Sequence, residues 1–266
     1  MTSHELPSAP ALAVVVSSCD AFADVWEPFF TLFFRYWPDC PYPVFLIANE
    51  RRFDHPRVTT LCVGPDRGWA ANLRHALQRV PGTHLLYLQE DYLLRRPVDT
   101  RRMATLFEQA VAAGAACLRL YPTPGPDQPN PGGPPGIGSI GADAPYRVSL
   151  QAAIWERRTL EALLVEGESG WHMETLGSAR SRALAAPFLS VERHLRDDGE
   201  LDVAIPYVCT AVVKGKWIPA AVALCRAEGI PLDLGRRSVE TWRDRAWRRL
   251  MTAPWVMWLR AWRRGK

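Results

Sequence analysis

Long apolar runs are absent from this sequence. No stretch of about 18 uncharged apolar residues occurs, and the first ten residues, MTSHELPSAP, lack a basic region followed by an apolar core. We therefore expect a cytoplasmic protein without a membrane span or a signal peptide. With 266 residues, 48% of them hydrophobic, the chain can fold as one large α/β domain with an appendage and is too short for two full domains.

Several common binding motifs are also missing. The six cysteines are scattered, without a CxxC pair or histidines at metal-ligand spacing, which favours reduced, mostly buried thiols over zinc sites or disulfides. Neither GxGxxG nor GxxxxGK[ST] occurs, so a Rossmann dinucleotide site and a P-loop are both disfavoured.

The net charge of +4 is unevenly distributed. Residues 236–266 contain ten lysines and arginines but only two acids, Glu240 and Asp244, while residues 1–235 contain 22 basic and 26 acidic residues. The larger part of the chain is thus slightly acidic, which argues against a nucleic-acid-binding domain and for a separate partner of the C-terminal segment.

The segment 236–266 predicts a basic amphipathic helical tail, interrupted around Pro254. Trp255, Trp258 and Trp262 recur at helical spacing among arginines, a pattern suited to the headgroup region of an anionic membrane. We expect this tail to place the protein peripherally on the inner face of the cytoplasmic membrane. Packing of the tail against the domain of residues 1–235, or against a second subunit, is the alternative.

Apolar strands alternate with helices over residues 1–235, which predicts an α/β fold with a mostly parallel central sheet flanked by helices. The predicted strands cover residues 12–19, 42–49, 58–63, 84–94, 116–121, 146–155 and 205–213. Residues 122–145 contain eight prolines and six glycines, so we predict no regular structure there and favour a mobile active-site flap over a disordered connector.

The central stretch of this pattern is HLLYLQEDYLL, residues 84–94, in which apolar residues flank the triplet Gln89, Glu90 and Asp91. Ligands of α/β folds bind at the ends of central strands, and paired carboxylates there suit Mg²⁺ or Mn²⁺ together with a diphosphate. A strand-to-turn junction with two solvated acids is the alternative.

Other polar residues also follow predicted strands. Ser17, Ser18, Cys19 and Asp20 end the first strand and are candidates for a ligand-facing edge, although Asp20 also suits a helix N-cap. Lys216 follows the last predicted strand, where it could neutralise a diphosphate or lie in a solvated turn.

Glu174 is a candidate general base near the start of a predicted helix. It lies close to Trp171 in the sequence GESGWHMETLGSARS. A purely structural role in the first turn of the helix is the alternative.

With these residues assembled, the chain resembles bacterial glycosyltransferases of the GT-A fold that build lipopolysaccharide, capsule or other surface glycans. The resemblance runs from about Val14 to Trp217. The segments that carry it are SSCD, RGWAANLRHAL, YLQEDYLL, YRVSLQAAIW and GESGWHMETLGSARS.

The resemblance implies transfer of a sugar from a nucleotide-sugar donor to a glycan or lipid-linked acceptor. It places Asp91 on a divalent cation, Mn²⁺ or Mg²⁺, and Glu174 as the catalytic base. The implied donor-binding residues are Ser17, Cys19, Asp20, Arg67, Trp69, Asn72, Gln89, Glu90 and Lys216. Acceptor binding is expected from Gln151, Trp155 and Trp171. A nucleotidyltransferase and a catalytically inactive sugar-nucleotide or membrane-surface binding module are the alternatives.

Overall fold

The computed structural model describes residues 11–246, and the boundary between two compact units falls between Tyr207 and Val208. Most of the predicted tail helix, including Trp255, Trp258 and Trp262, lies outside the described residues. Among residues 11–246, the helices are all too short or too polar to cross a membrane.

The first unit contains eight strands. They are β1 (Leu12–Ser17), β2 (Val44–Ala48), β3 (Val58–Cys62), β4 (His84–Gln89), β5 (Cys117–Arg119), β6 (Ile137–Ser139), β7 (Ala153–Glu156) and β8 (Phe188–Val191). Its helices are α1 (Ala23–Tyr36), α2 (Trp69–Leu77), α3 (Thr100–Ala112), α4 (Arg157–Leu163), α5 (Gly170–His172) and α6 (Ser178–Ser181). A π-helical turn, Met173–Gly177, joins α5 to α6.

The eight strands form one sheet in the order β3-β2-β1-β4-β7-β5-β8-β6. Six strands run in one direction, while β7 and β6 pair antiparallel with their neighbours. Helices follow β1, β3 and β4 and lead to the next strand, so the α/β fold with a mostly parallel sheet is confirmed.

Both faces of the sheet are covered. Successive side chains of a strand point to opposite faces, and all six residues of β1 are buried. Ala13 and Val15 pack in one cluster with α2 residues such as Leu73. Val14 and Val16, on the other face, are fully buried as well. This explains why the central strands are continuous apolar runs instead of alternating patterns.

The second unit begins at Val208 and is much smaller. Its described part holds a two-stranded antiparallel sheet of β9 (Val212–Val213) and β10 (Lys216–Trp217), followed by α7 (Pro219–Ala227). The predicted strand at residues 205–213 is therefore wrong except at its last two residues. Trp217 is fully buried within this unit.

The predicted strand at residues 146–155 is correct only from Ala153 onward. The backbone of residues 146–150 bonds to side chains instead of a neighbouring strand. Arg119 donates to the carbonyl oxygens of Tyr146 and Arg147, at 2.6 and 3.1 Å. Ser178 Oγ accepts from the Val148 N–H at 2.9 Å. Because these donors and acceptors lie far away in sequence, the apolar pattern could not reveal them.

Two short strands were not predicted. The strand β6 lies inside the proline-rich segment 122–145, so the prediction of no regular structure there is wrong at Ile137–Ser139. It pairs with β8, which was also missed. Both contain only three or four residues, too few for a periodic signal.

We expect Arg119→Ala to lower the free energy of unfolding by about 3 kcal/mol, because the backbone carbonyls of Pro124, Tyr146 and Arg147 would lose a charged donor inside the protein. Arg119 is 1% exposed. Urea unfolding followed by circular dichroism measures the effect, with the exposed Arg101→Ala as the matched control. Equal midpoints for the two variants would contradict this role.

Candidate active site

The strands β1 and β4 lie side by side at a topological switch point of the sheet. The chain leaves β1 through α1 towards β2, whereas it leaves β4 through α3 towards β5 on the opposite side. A crevice opens at such a point beyond the carboxyl ends of the two strands, and α/β folds place ligands there. Ser17 and Gln89 are register partners at these two ends.

A cavity of about 220 Å³ occupies this crevice. Its walls come from the end of β1, the start of α2 and the end of β4. The lining residues are Ser17, Ser18, Cys19, Phe22, Ile47, Asp66, Gly68, Trp69, Asn72, Leu73, Gln89 and Glu90. Six of the predicted donor-binding residues, from three distant segments, thus meet at one cavity.

The hydroxyl of Tyr87 is a shared hydrogen-bond partner beneath this cavity. It accepts from Trp69 Nε1 at 3.2 Å and from Gln89 Nε2 at 3.3 Å, and it also bonds to Ser17. Burial raises the pKa of Tyr87 to about 12, so the phenol is neutral at physiological pH. Three cavity residues are therefore fixed by one buried side chain.

The loop before α2 is shaped by a second set of hydrogen bonds. Asp66 Oδ1 accepts from the Gly68 N–H at 2.9 Å and from Asn72 Nδ2 at 2.7 Å. Asn72 Oδ1 accepts from the Arg67 N–H at 3.2 Å. Gly68 has a φ of +87°, a conformation that favours glycine, so the sequence DRGWAAN builds this particular turn.

Asp20 has a different position from the one predicted. Its carboxylate accepts from the backbone N–H groups of Asn49, Glu50 and Arg51 at 2.9–3.3 Å. These bonds tie the end of β1 to the loop after β2. Asp20 is not among the residues that line the cavity, and neither is Arg67, whose side chain is exposed.

The two acids after β4 occupy a tight turn, closed by the Tyr92 N–H donating to the Gln89 carbonyl at 3.1 Å. Glu90 is 8% exposed and lines the cavity, whereas Asp91 is 7% exposed and does not belong to the lining. Of the two acids, Glu90 is thus the one that lines the cavity, whereas the resemblance to GT-A glycosyltransferases places the cation on the adjacent Asp91.

The side chains that line the cavity carry negative charge. Burial raises the pKa of the Cys19 thiol above its usual value, and the carboxylates of Glu90 and Asp66 raise it further. No lysine or arginine belongs to the lining of this cavity. Within residues 11–246, three or more metal-ligating side chains nowhere converge. A cation here would use the Glu90 carboxylate and complete its shell with water and ligand oxygens.

Glu174 lies in the π-helical turn between α5 and α6. Its Oε1 accepts from the Leu150 N–H at 2.9 Å and from Ser149 Oγ at 3.2 Å. Oε2 receives no hydrogen bond from the described residues. The carboxylate is thus held in one orientation through one oxygen, while the other remains able to accept a proton.

The segment that carries Glu174 is tethered to α2. The Ala70 N–H donates to the Glu168 carbonyl at 3.3 Å, and Arg74 donates to the Leu164 carbonyl. Arg180 forms a bidentate pair with the Glu168 carboxylate at 2.6–2.8 Å. Because α2 also supplies a wall of the cavity, the Glu174 segment and the cavity are parts of one packed structure.

The three predicted acceptor residues have very different surroundings. Trp171 is 75% exposed at the start of α5, where a sugar could stack on it. Gln151 accepts a hydrogen bond from the buried Tyr207 hydroxyl. Trp155 is fully buried in β7 against Phe188, so it offers no surface to a sugar and is corrected to a core residue.

Lys216 belongs to the second unit, where its Nζ pairs with both oxygens of the Asp244 carboxylate at 2.9 Å. This ion pair gives Lys216 a structural role inside that unit. It also holds the pKa of Asp244 far below its usual value, mainly through the hydrogen bond from Lys216.

Three residues of this region were missed by sequence reasoning. Asp66 and Phe22 line the cavity, and Tyr87 lies beneath it. A polar hydroxyl in the middle of an apolar strand was the available signal for Tyr87, because a buried tyrosine needs a hydrogen-bond partner. Phe22 carried no such signal.

No protein-family model matches this chain, and no curated protein matches it in sequence. Several solved structures are similar in fold. One is TarS 1-349 from S. aureus in complex with UDP-GlcNAc, at 12% identity and a TM-score of 0.42, covering 70% of this chain and 60% of that chain. This chain thus spans about 60% of the length of that structure.

Two further solved structures are also similar in fold. A β-1,4-galactosyltransferase 7 mutant from Drosophila with manganese, UDP-Gal and xylobiose is 11% identical, with a TM-score of 0.33, covering 67% of this chain and 64% of that one. A CMP:2-keto-3-deoxy-manno-octonic acid synthetase complexed with CTP is 12% identical, with a TM-score of 0.42, covering 82% of this chain and 98% of that one.

Proposed function

We propose that this chain is a glycosyltransferase that moves a sugar from a nucleotide-sugar donor to a glycan or lipid-linked acceptor. The observation that carries the proposal is the convergence of the β1 end, the α2 start and the β4 end on one cavity at the switch point of the sheet. Glu174 supports it, because a carboxylate with one unoccupied oxygen lies in a segment tethered to the same helix.

The donor set of the cavity fits a divalent cation. Glu90 offers a buried carboxylate at the cavity wall, and Asp91 lies in the same turn. These residues would hold Mn²⁺ or Mg²⁺ together with diphosphate oxygens, the usual environment of such ions. When bound, the ion would neutralise the charge of the departing nucleoside diphosphate, a task for which the cavity wall has no lysine or arginine.

Side chains of the protein perform the remaining steps of the sugar transfer. Oε2 of Glu174 takes the proton of the acceptor hydroxyl, whose oxygen then forms the bond to the anomeric carbon of the donor sugar. The bond from that carbon to the diphosphate oxygen breaks, and the electron pair leaves with the diphosphate. Trp171 and Gln151 are the proposed acceptor contacts, through stacking and hydrogen bonding.

A nucleotidyltransferase is the second candidate, since the same kind of sheet serves that reaction. It would need to neutralise a triphosphate, usually with a glycine-rich basic loop after the first strand. Here the residues after β1, SSCDAFADVW, contain neither a glycine nor a basic residue. This favours sugar transfer.

Donor hydrolysis separates the candidates. With Mn²⁺ and a panel of nucleotide sugars but no acceptor, we expect slow release of a nucleoside diphosphate and free sugar. Pyrophosphate release from a nucleoside triphosphate and a sugar phosphate, without such hydrolysis, would instead identify a nucleotidyltransferase. Absence of both reactions, with nucleotide still bound, would indicate a binding module.

We also propose that the tail 236–266 binds an anionic membrane surface, because tryptophan and arginine alternate in its sequence. Deleting residues 247–266, which keeps Asp244 and its pair with Lys216, should release the protein from vesicles containing phosphatidylglycerol. Unchanged sedimentation with those vesicles would favour packing of the tail against protein.

A further inference from the structure

Several side-chain donors that line the cavity between β1 and β4 are engaged within the protein. Trp69 Nε1 and Gln89 Nε2 donate to Tyr87, and Asn72 Nδ2 donates to Asp66. Ser17 also bonds to Tyr87.

Several backbone donors around the rim are engaged in the same way. The Asp20 N–H donates to Asn49 Oδ1 at 3.1 Å, and the Phe22 N–H donates to the Cys19 carbonyl at 2.9 Å. The Arg67 and Gly68 N–H groups donate to the side chains of Asn72 and Asp66.

Hydrogen-bond acceptors, in contrast, remain available. With its nitrogen turned to Tyr87, Gln89 keeps its Oε1 for a ligand, and no described residue donates to that oxygen. Asp66 uses Oδ1 in the loop, while Oδ2 receives no hydrogen bond from the described residues. The ring systems of Trp69 and Phe22 complete the wall with apolar surface. The cavity wall therefore combines apolar ring surface with negative charge and available hydrogen-bond acceptors.

Nucleobases differ in the groups that they bring to such a wall. Cytosine, adenine and guanine carry an exocyclic amino group that donates hydrogen bonds, whereas uracil presents two carbonyl oxygens beside a single N–H. A carboxylate and an amide oxygen attract amino groups and repel carbonyl oxygens. We infer that this cavity selects a nucleotide donor whose base carries an exocyclic amino group over one that carries uracil. This inference rests on the proposed function, because it takes the cavity as the donor site.

Asp66→Asn is the most informative variant. Asparagine keeps an Oδ1 that accepts from Gly68 and Asn72, so the loop is retained, but it replaces the available carboxylate oxygen by an NH₂ donor. The exposed Asp54→Asn is the matched control, since it changes the same charge on a loop outside the cavity.

The experiment is calorimetric titration of the full-length protein with UDP, CDP, GDP and ADP, each with Mn²⁺. We expect at least one of CDP, GDP and ADP to bind about tenfold or more tightly than UDP. Asp66→Asn should shift that ratio towards UDP by about tenfold, while Asp54→Asn leaves it unchanged.

The outcomes separate the inference from the proposed function. If UDP binds as tightly as the best of the other three, the inference is overturned and the proposed function stands. If the amino-group preference exists but Asp66→Asn does not alter it, the assignment of selectivity to Asp66 is overturned. If none of the four nucleotides binds, the donor site itself is rejected, and both fail together.

Discussion

Glu90→Gln is expected to abolish Mn²⁺-dependent nucleotide binding and to lower sugar transfer by about 10²–10³-fold. The substitution keeps the size of the side chain but removes the only charged group that the turn after β4 contributes to the cavity lining. Without that charge, a cation shared with the diphosphate would lose its protein ligand. Chelation of the wild-type protein with EDTA should produce a similar loss.

Asp91→Asn provides the comparison for this prediction. The sequence resemblance placed the cation on Asp91, while the cavity lining favours Glu90. Calorimetric titration with nucleoside diphosphate, with and without Mn²⁺, ranks the two variants, and Glu108→Gln on the exposed side of α3 controls for loss of charge. Loss of cation dependence in Asp91→Asn alone would return the ligand role to Asp91.

Glu174→Gln should reduce kcat by about 10²–10⁴-fold while leaving donor affinity unchanged. Glutamine retains the oxygen that accepts from Leu150 and Ser149, so the segment at residues 146–150 keeps its hydrogen bonds. What it lacks is the basic oxygen that takes the acceptor proton. The variant thereby separates the catalytic role from the structural one.

The measurement is steady-state transfer to an accepted glycan, together with donor titration and urea unfolding. Glu166→Gln, an exposed acid shortly before α5, is the matched control and should behave like the wild type. If Glu174→Gln turns over normally, Glu174 is a structural residue and another group takes the proton. Glu174→Ala should in addition destabilise the fold, since the Leu150 N–H would lose its acceptor.

The central half of the fold was predictable because its strands are buried on both faces. Continuous apolar runs at β1, β2 and β4 are unmistakable when helices cover the whole sheet. The other half of the fold was harder to predict from the sequence. The segment 146–150 is apolar like a strand, but its backbone groups are satisfied by Arg119, Ser178 and Glu174. No local pattern encodes such distant side-chain bonds.

The candidate site, like the fold, was predictable only in part. Parallel strands bring their carboxyl ends to one edge, so the residues that end the predicted strands were expected at one ligand-facing edge. Ser17 and Gln89 are register partners there. The direction in which each side chain points was not predictable. Asp20 bonds to the loop after β2 instead of lining the cavity, and Trp155 is in the core. Which of two adjacent acids reaches the cavity depends on a turn of four residues that sequence does not specify.

The most direct test of the account is a crystal of the protein soaked with Mn²⁺ and a nucleoside diphosphate, with the metal located by anomalous scattering. The account predicts one manganese peak at coordination distance from the Glu90 carboxylate, about 2.2 Å, with the diphosphate bridging to it and the base against Trp69. A nucleotide bound anywhere other than the cavity between β1 and β4 would contradict it.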